Sequence, residues 1–253
     1  MFLGDIVGRS GRKAVQEGLK KLEDQHQPLF CIANGENAAG GIGITPDIAD
    51  DLFLWGIDLI TLGNHAFHKR EIIPYLDAGN AIVRPSNMPP GTPGHGSMTL
   101  KKKGVELFVS LVCGRVFMEA FDDPFRETAR LIEKVSTPHR FFEIHGEATS
   151  EKIAFAWWLD GKATAVVGTH THVQTSDERI LPNGTAAITD VGMCGPLDGV
   201  LGMQKSASLH RFLTSMPTRL EASEGKGVLH GVVVEAEMTS GKAVAVNKFS
   251  FTP

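Results

Sequence analysis

A chain of 253 residues can bury a substantial core without disulfides or a structural metal, which excludes a stapled mini-protein. With 42% hydrophobic and 21% charged residues, it is also unlike a disordered or fibrous chain. The formal net charge is -4 and the one basic run is Lys101-Lys102-Lys103, read as a solvated hairpin turn, so no duplex-DNA partner is expected.

In chain order, short apolar runs repeatedly lead into turns rich in Gly, Asn and His, with amphipathic stretches following, as in an α/β sheet whose strand ends carry function. Met1-Phe2-Leu3 leads into Gly4-Asp5-Ile6-Val7-Gly8, and a helix is expected over Arg12–Asp24. Leu29–Ala33 leads into Asn34-Gly35-Glu36-Asn37, followed by a helix over Pro46–Trp55, with Thr45 as N-cap and proline at the first helical position. Asp58–Leu62 leads into Gly63-Asn64-His65, with a helix over Arg70–Ala78. The proline-bearing Arg84–Gly96 is expected as a surface loop. Thr99–Lys103 and Val105–Cys113 form a hairpin about Gly104, and Asp123–Val135 a helix. Phe141–Ile144 then ends at His145, a helix spans Ser150–Leu159, and Ala163–Val167 leads into Gly168-Thr169-His170-Thr171-His172. Two more hairpins follow, Glu178–Leu181 with Ala186–Asp190 and Val228–Met238 with Lys242–Phe249. Between them, Val191–Gln204 is glycine-rich and lacks a period, so it is expected as a long functional loop.

This order predicts a layered mixed α/β fold, with two β-sheets packed face to face in a single domain over residues 1–253. Cys31, Cys113 and Cys194 lack CxxC spacing and lie in or beside apolar stretches, as buried reduced thiols of a cytoplasmic protein would. No segment resembles a signal peptide, and no apolar stretch approaches the ~20 residues that cross a bilayer, so no membrane partner is expected.

Ligands of open α/β sheets gather beyond the carboxyl ends of the strands. The groups offered there are Asp5, Glu36, Asn37, Asn64, His65, His145, His170 and His172. Each has a plain structural use alone, as a cap, a turn former or a hydrogen-bonded histidine. Together, oxygen and imidazole donors without thiolate suit divalent manganese, iron, zinc or magnesium. They are too many for one tetrahedral ion, and two ions sharing a bridging carboxylate suit phosphate-ester hydrolysis. His170 and His172 share a side only if the strand before them persists.

The series Asp5, Gly35-Glu36-Asn37, Gly63-Asn64-His65, His145 and Thr169-His170-Thr171-His172 resembles the calcineurin-like metallophosphoesterase pattern. The usual blocks there are Asp-x-His, Gly-Asp-x-x-Asp, Gly-Asn-His-Asp/Glu, His and Gly-His-x-His. Val7 stands where that pattern has His, Glu36-Asn37 replaces the second aspartate block, and Ala66 follows His65 where an acid is common. These departures are similar to the YmdB-like bacterial phosphodiesterase branch, as are His145-Gly146-Glu147-Ala148-Thr149-Ser150-Glu151-Lys152 and Thr189-Asp190-Val191-Gly192-Met193. Two differences from that branch are a first strand of only Met1-Phe2-Leu3 before Gly4, and Phe67-His68 in place of Trp-Asp.

The resemblance implies a four-layer α/β/β/α sandwich and a homo-oligomeric cytoplasmic enzyme. Its expected activity is hydrolysis of cyclic nucleotides, 2',3'-cyclic ones favoured, and of generic or RNA-derived phosphodiesters. Carried over, Asp5, Glu36 and His172 would hold one metal, and Glu36 would bridge to a second held by Asn37, Asn64, His145 and His170, with iron or manganese favoured. His65 would stay unligated as the acid that protonates the leaving group. The alternatives are a phosphomonoesterase on the same metals and a metal-bound RNA-regulatory scaffold whose turnover is incidental.

Overall fold

The computed structural model describes all residues, 1–253, as fourteen strands and six helices. The amino-terminal half contains β1 (Phe2–Leu3), β2 (Asp5–Ile6), α1 (Gly8–His26), β3 (Ile32–Asn34), α2 (Pro46–Trp55), β4 (Leu59–Thr61), α3 (Ile72–Asp77) and β5 (Ile82–Val83). Next come β6 (Ser97–Lys102), β7 (Val105–Cys113), α4 (Pro124–Ile132), β8 (Arg140–His145), α5 (Thr149–Trp158) and β9 (Ala165–Thr169). The chain ends with β10 (Arg179–Ile180), β11 (Ala186–Ile188), β12 (Met193–Pro196), α6 (Lys205–Thr214), β13 (Gly227–Ala236) and β14 (Ala243–Phe251).

The helices form where caps and periodicity ask for them. Thr45 Oγ accepts the Ile48 N–H at the start of α2, and Asp123 accepts from Phe125 and Arg126 at the start of α4; both helices carry proline in the first turn. In α1, Ala14, Val15, Gly18, Leu19 and Leu22 recur at helical spacing and are the buried face. Gly11 of the same helix lies so close to β12 that a Cβ there would sit 2.2 Å from the Cys194 carbonyl oxygen.

One sheet has eight strands in the order β2-β12-β13-β1-β3-β4-β5, with β14 on β13; the other has six, β10-β11-β9-β8-β7-β6. β1, β3, β4 and β5 run parallel, as do β7, β8, β9 and β11. Helices α1, α2 and α3 cover the outer face of the first sheet through Leu19, Leu22, Leu52 and Leu76. Phe108, Phe142, Phe155 and Leu159 join α5 to the outer face of the second. Between the sheets, Phe2, Ile32, Leu59 and Val83 meet Val109, Phe141, Val167 and Ile188. The result is the α/β/β/α layering expected, and full burial of each such side chain stabilises by about 1.5–3 kcal/mol.

The three expected hairpins are present as antiparallel pairs, and all three cysteines are free and buried. Four local expectations are corrected. Helix α1 begins at Gly8 rather than Arg12. The stretch Val191–Gln204 is not wholly irregular: β12 lies within it, pairing parallel with β2 and antiparallel with β13. Its glycines hide the strand signal: Gly192 and Gly195 leave room for the side chains of His230, Gln174 and Val7, which lie where a Cβ would stand. Helix α6 has no counterpart among the expected elements; it buries only Ser208 and leaves Phe212 and Leu213 exposed, so no apolar face announces it. Finally, β9 ends at Thr169, and His170 and His172 share a side through left-handed backbone, φ 92° and 64°, rather than through an extended strand. Such conformations cost non-glycine residues on the order of 1–3 kcal/mol each and persist only when surrounding contacts enforce them.

Candidate active site

Both sets of parallel strands end on the same side of the molecule, so the loops after β1, β3, β4, β8 and β9 converge. They bring together all eight side chains singled out in the sequence. Glu36, His145 and His170 form the tightest group, with ligand atoms within 4.8 Å of one another. His145 Nε2 lies 2.9 Å from Glu36 Oε1, 3.0 Å from Asn64 Oδ1 and 3.0 Å from His170 Nδ1. One imidazole nitrogen carries at most one proton, so it cannot satisfy three such neighbours. A cation among them would.

Asp5 is fully buried after β1, accepts the His170 N–H at 3.3 Å, and leaves Oδ1 without a hydrogen-bond partner. His172 Nε2 stands 3.9 Å from that oxygen. Asn37 Nδ2 contacts Glu36 Oε1 and His172 Nε2, each at 3.3 Å, while its Oδ1 meets His65 Nδ1 at 2.9 Å. Thus Asn37 sits between Glu36, His172 and His65, and its hydrogen bonds do not reach His145 or His170, the partners expected for it. His65 is only 26% exposed and donates its backbone N–H to Glu36 Oε2. Its ring stands edge-on to His68, with centroids 4.8 Å apart. Gly63 is required by this crowding, since a Cβ there would come within 2.4 Å of Glu36 Oε2 and 2.5 Å of His145 Nε2.

The electrostatics follow from burial and pairing. Burial opposes charge on Glu36, yet His145, by charge and hydrogen bond, and then His65 hold its carboxyl well below the usual range. For His145, burial opposes the imidazolium, but Glu36 prevails and raises it to about 9. Burial and then the charge of His145 push His170 down to about 3. Asp5 is raised by burial, against the pull of His172 and His145. A proton held between Glu36 and His145 occupies the place of positive charge there, and a bound cation would displace it.

Supporting residues are more numerous than the sequence disclosed. Thr169 donates its hydroxyl to Glu143 Oε1 at 2.7 Å, so it accepts from His145 Nδ1 at 2.9 Å, directing the Nε2 lone pair into the site. The same Glu143 oxygen accepts from Asn34 Nδ2 at 2.7 Å, and Asn34 Oδ1 accepts the Glu36 N–H at 3.0 Å. Glu143, from the second sheet, therefore braces Glu36 and His145 together. Its signal was a lone carboxylate in Phe141-Phe142-Glu143-Ile144. Lys152 and Asp190, 2% and 1% exposed, pair at 2.9 Å beneath the histidine loop. Lys152 also donates to the Thr169 carbonyl and Thr171 Oγ, while Asp190 accepts from Thr171 N–H and O–H. These bonds enforce the left-handed backbone on either side of Thr171. Asn64 Nδ2 donates to Glu119 Oε1 at 3.1 Å.

A family model described as YmdB-like protein matches residues 1–249. The chain is 49% identical over 250 residues to the 2',3'-cyclic-nucleotide 2'-phosphodiesterase of Bacillus subtilis, covering 98% of this chain and 95% of that protein. Among solved structures, a hypothetical protein from Thermus thermophilus superposes with a TM-score of 0.94 at 41% identity, over 99% of this chain and 98% of the other. A structure described as a novel phosphatase from Mycoplasma pneumoniae gives 0.95 at 31% identity, over 99% and 92%.

Proposed function

The chain belongs to the YmdB-like protein family over nearly its whole length, and from that premise we propose that it is a metal-dependent phosphodiesterase. Its substrates are 2',3'-cyclic nucleotides and generic phosphodiesters. The observation that carries this reading is the convergence of Glu36, His145 and His170 with the partnerless Asp5 Oδ1, a set of donors suited to hard or borderline cations. We assign Asp5, Glu36 and His172 to one cation, with Asn37 on that side because it lies against His172, and Glu36, Asn64, His145 and His170 to a second, iron or manganese before zinc or magnesium. When bound, divalent cations supply neutralisation of phosphate oxygens and acidification of water for in-line attack on phosphorus.

The protein's own groups do the rest. Glu143, through Thr169, holds His145 in the tautomer that offers Nε2, and through Asn34 it fixes the backbone at Glu36. His65 Nδ1 donates to Asn37 Oδ1, and its Nε2 makes no hydrogen bond to the protein; as the imidazolium, His65 would carry on Nε2 the proton delivered to the departing alkoxide. The whole chain acts as one catalytic domain, since Glu36 comes from one sheet and His145 from the other. No helix is long and apolar enough to cross a membrane.

The test is turnover of a 2',3'-cyclic nucleotide, a linear diester and a phosphomonoester side by side on metal-replete protein, with elemental analysis of the same preparation. Diesters should be cleaved faster and close to two transition-metal ions found per chain. Monoester cleavage far above every diester would make the protein a phosphomonoesterase, and absence of turnover with metal bound would favour the scaffold reading.

A further inference from the structure

The loop between β7 and α4 presents Phe117, the most exposed large apolar side chain of the molecule at 87%. Its backbone is left-handed, φ 62°, a conformation that bulky residues avoid. The loop is nevertheless held in place. Glu151 accepts the backbone N–H of Arg115 at 3.0 Å and of Val116 at 3.2 Å, and Arg115 pairs with Asp123 at 3.2 Å. On the other side of Phe117, Glu119 accepts from Asn64 at 3.1 Å. Phe117 is two residues from Glu119, a span of at most about 7 Å between Cα atoms. A strained, solvent-facing aromatic residue thus lies on a segment tied at one end to Glu151 and at the other, through Glu119, to Asn64 of the site.

Resting on the phosphodiesterase reading above, we propose that Phe117 is the residue on which the nucleobase of the substrate stacks. The phosphate-facing donors are blind to the base, because all of them address charge at phosphorus. Discrimination between a nucleotide and any other cyclic phosphodiester needs a second contact beyond them, and a flat apolar face is the surface that a base recognises. Base–aromatic stacking tolerates any base, since every base has a π-face, so this contact selects nucleotides as a class.

The experiment compares a 2',3'-cyclic nucleotide with ribose 2',3'-cyclic phosphate, which carries the same reacting group and no base. Phe117→Ala should raise the ratio of KM for the nucleotide to KM for the ribose compound roughly 5- to 100-fold, the worth of one stacked base, with kcat ratios altered far less. Phe117→Trp should preserve the wild-type ratio, and its added emission should be quenched by the nucleotide but not by the ribose compound. An unaltered KM ratio in Phe117→Ala, or equal quenching by both compounds, would overturn the assignment. If the wild type turns over neither compound, the phosphodiesterase reading falls; the emission of Phe117→Trp then still decides whether a base stacks there.

Discussion

Lys152→Met retains the long stem of Lys152 while removing the charge that faces Asp190. The lysine loses three hydrogen bonds, to the Thr169 carbonyl, Thr171 Oγ and Asp190 Oδ2. Breaking a buried ion pair from one side typically costs about 3–5 kcal/mol, because the remaining charge stays buried. Asp190 keeps the N–H and O–H of Thr171 and the N–H of Gly192, which places the cost near the lower end, about 3 kcal/mol. At about 2–4 °C per kcal/mol for a chain of this size, the unfolding midpoint should fall by about 6–12 °C. The His170-Thr171-His172 backbone would also lose part of what holds it left-handed, and metal affinity should drop by about 10–100-fold, the usual effect of losing an outer-sphere support. Circular dichroism melts in chelator read the first effect and calorimetric titration with Mn²⁺ reads the second. A variant that melts with the wild type and binds Mn²⁺ equally well would refute the claim that this pair enforces the loop.

His65→Ala should retain bound metal while lowering turnover by about 10²–10⁴-fold, and the loss should shrink for a nitrophenyl diester whose leaving group needs little protonation; elemental analysis and the two rates check it. Gly63→Ala should keep the fold, by circular dichroism, yet lose metal and activity, because its Cβ would press on Glu36 and His145. Burial raises the thiol pKa of Cys31 to about 12 and lifts Cys113 and Cys194 as well. All three should therefore resist alkylation by iodoacetamide at pH 8 until the protein is unfolded, as intact mass spectrometry would reveal.

Much of this architecture was legible because strand ends and chemistry coincide. Apolar runs before Asn34, Gly63, His145 and Gly168 mark both the strands and where ligands emerge, and Thr45-Pro46 marks the start of α2 to the residue. What stayed hidden depends on contacts between distant segments. β12 is two pairs of backbone bridges among glycines, visible only once β2 and β13 lie beside it. The left-handed turns at His170 and His172 depend on Lys152 and Asp190, about twenty residues away on either side, and no local propensity encodes them. Likewise, the placement of Asn37 against His65 rather than beside His145 is set by tertiary packing, since its position next to Glu36 is compatible with either.

Because Asp5, Glu36, Asn37 and Asn64 arrive from loops of one sheet and His145, His170 and His172 from loops of the other, the centre exists only while the two sheets are docked. Cation binding is therefore coupled by mass action to closure of the interface between Phe2 and Phe141 and their neighbours. At a free cation concentration a hundredfold above its dissociation constant, a single site of this kind adds about 2.7 kcal/mol to the stability of the docked state. Metal supply would then set the stability of the folded chain as well as its chemistry, and a chelator would remove that contribution from the seam between the sheets.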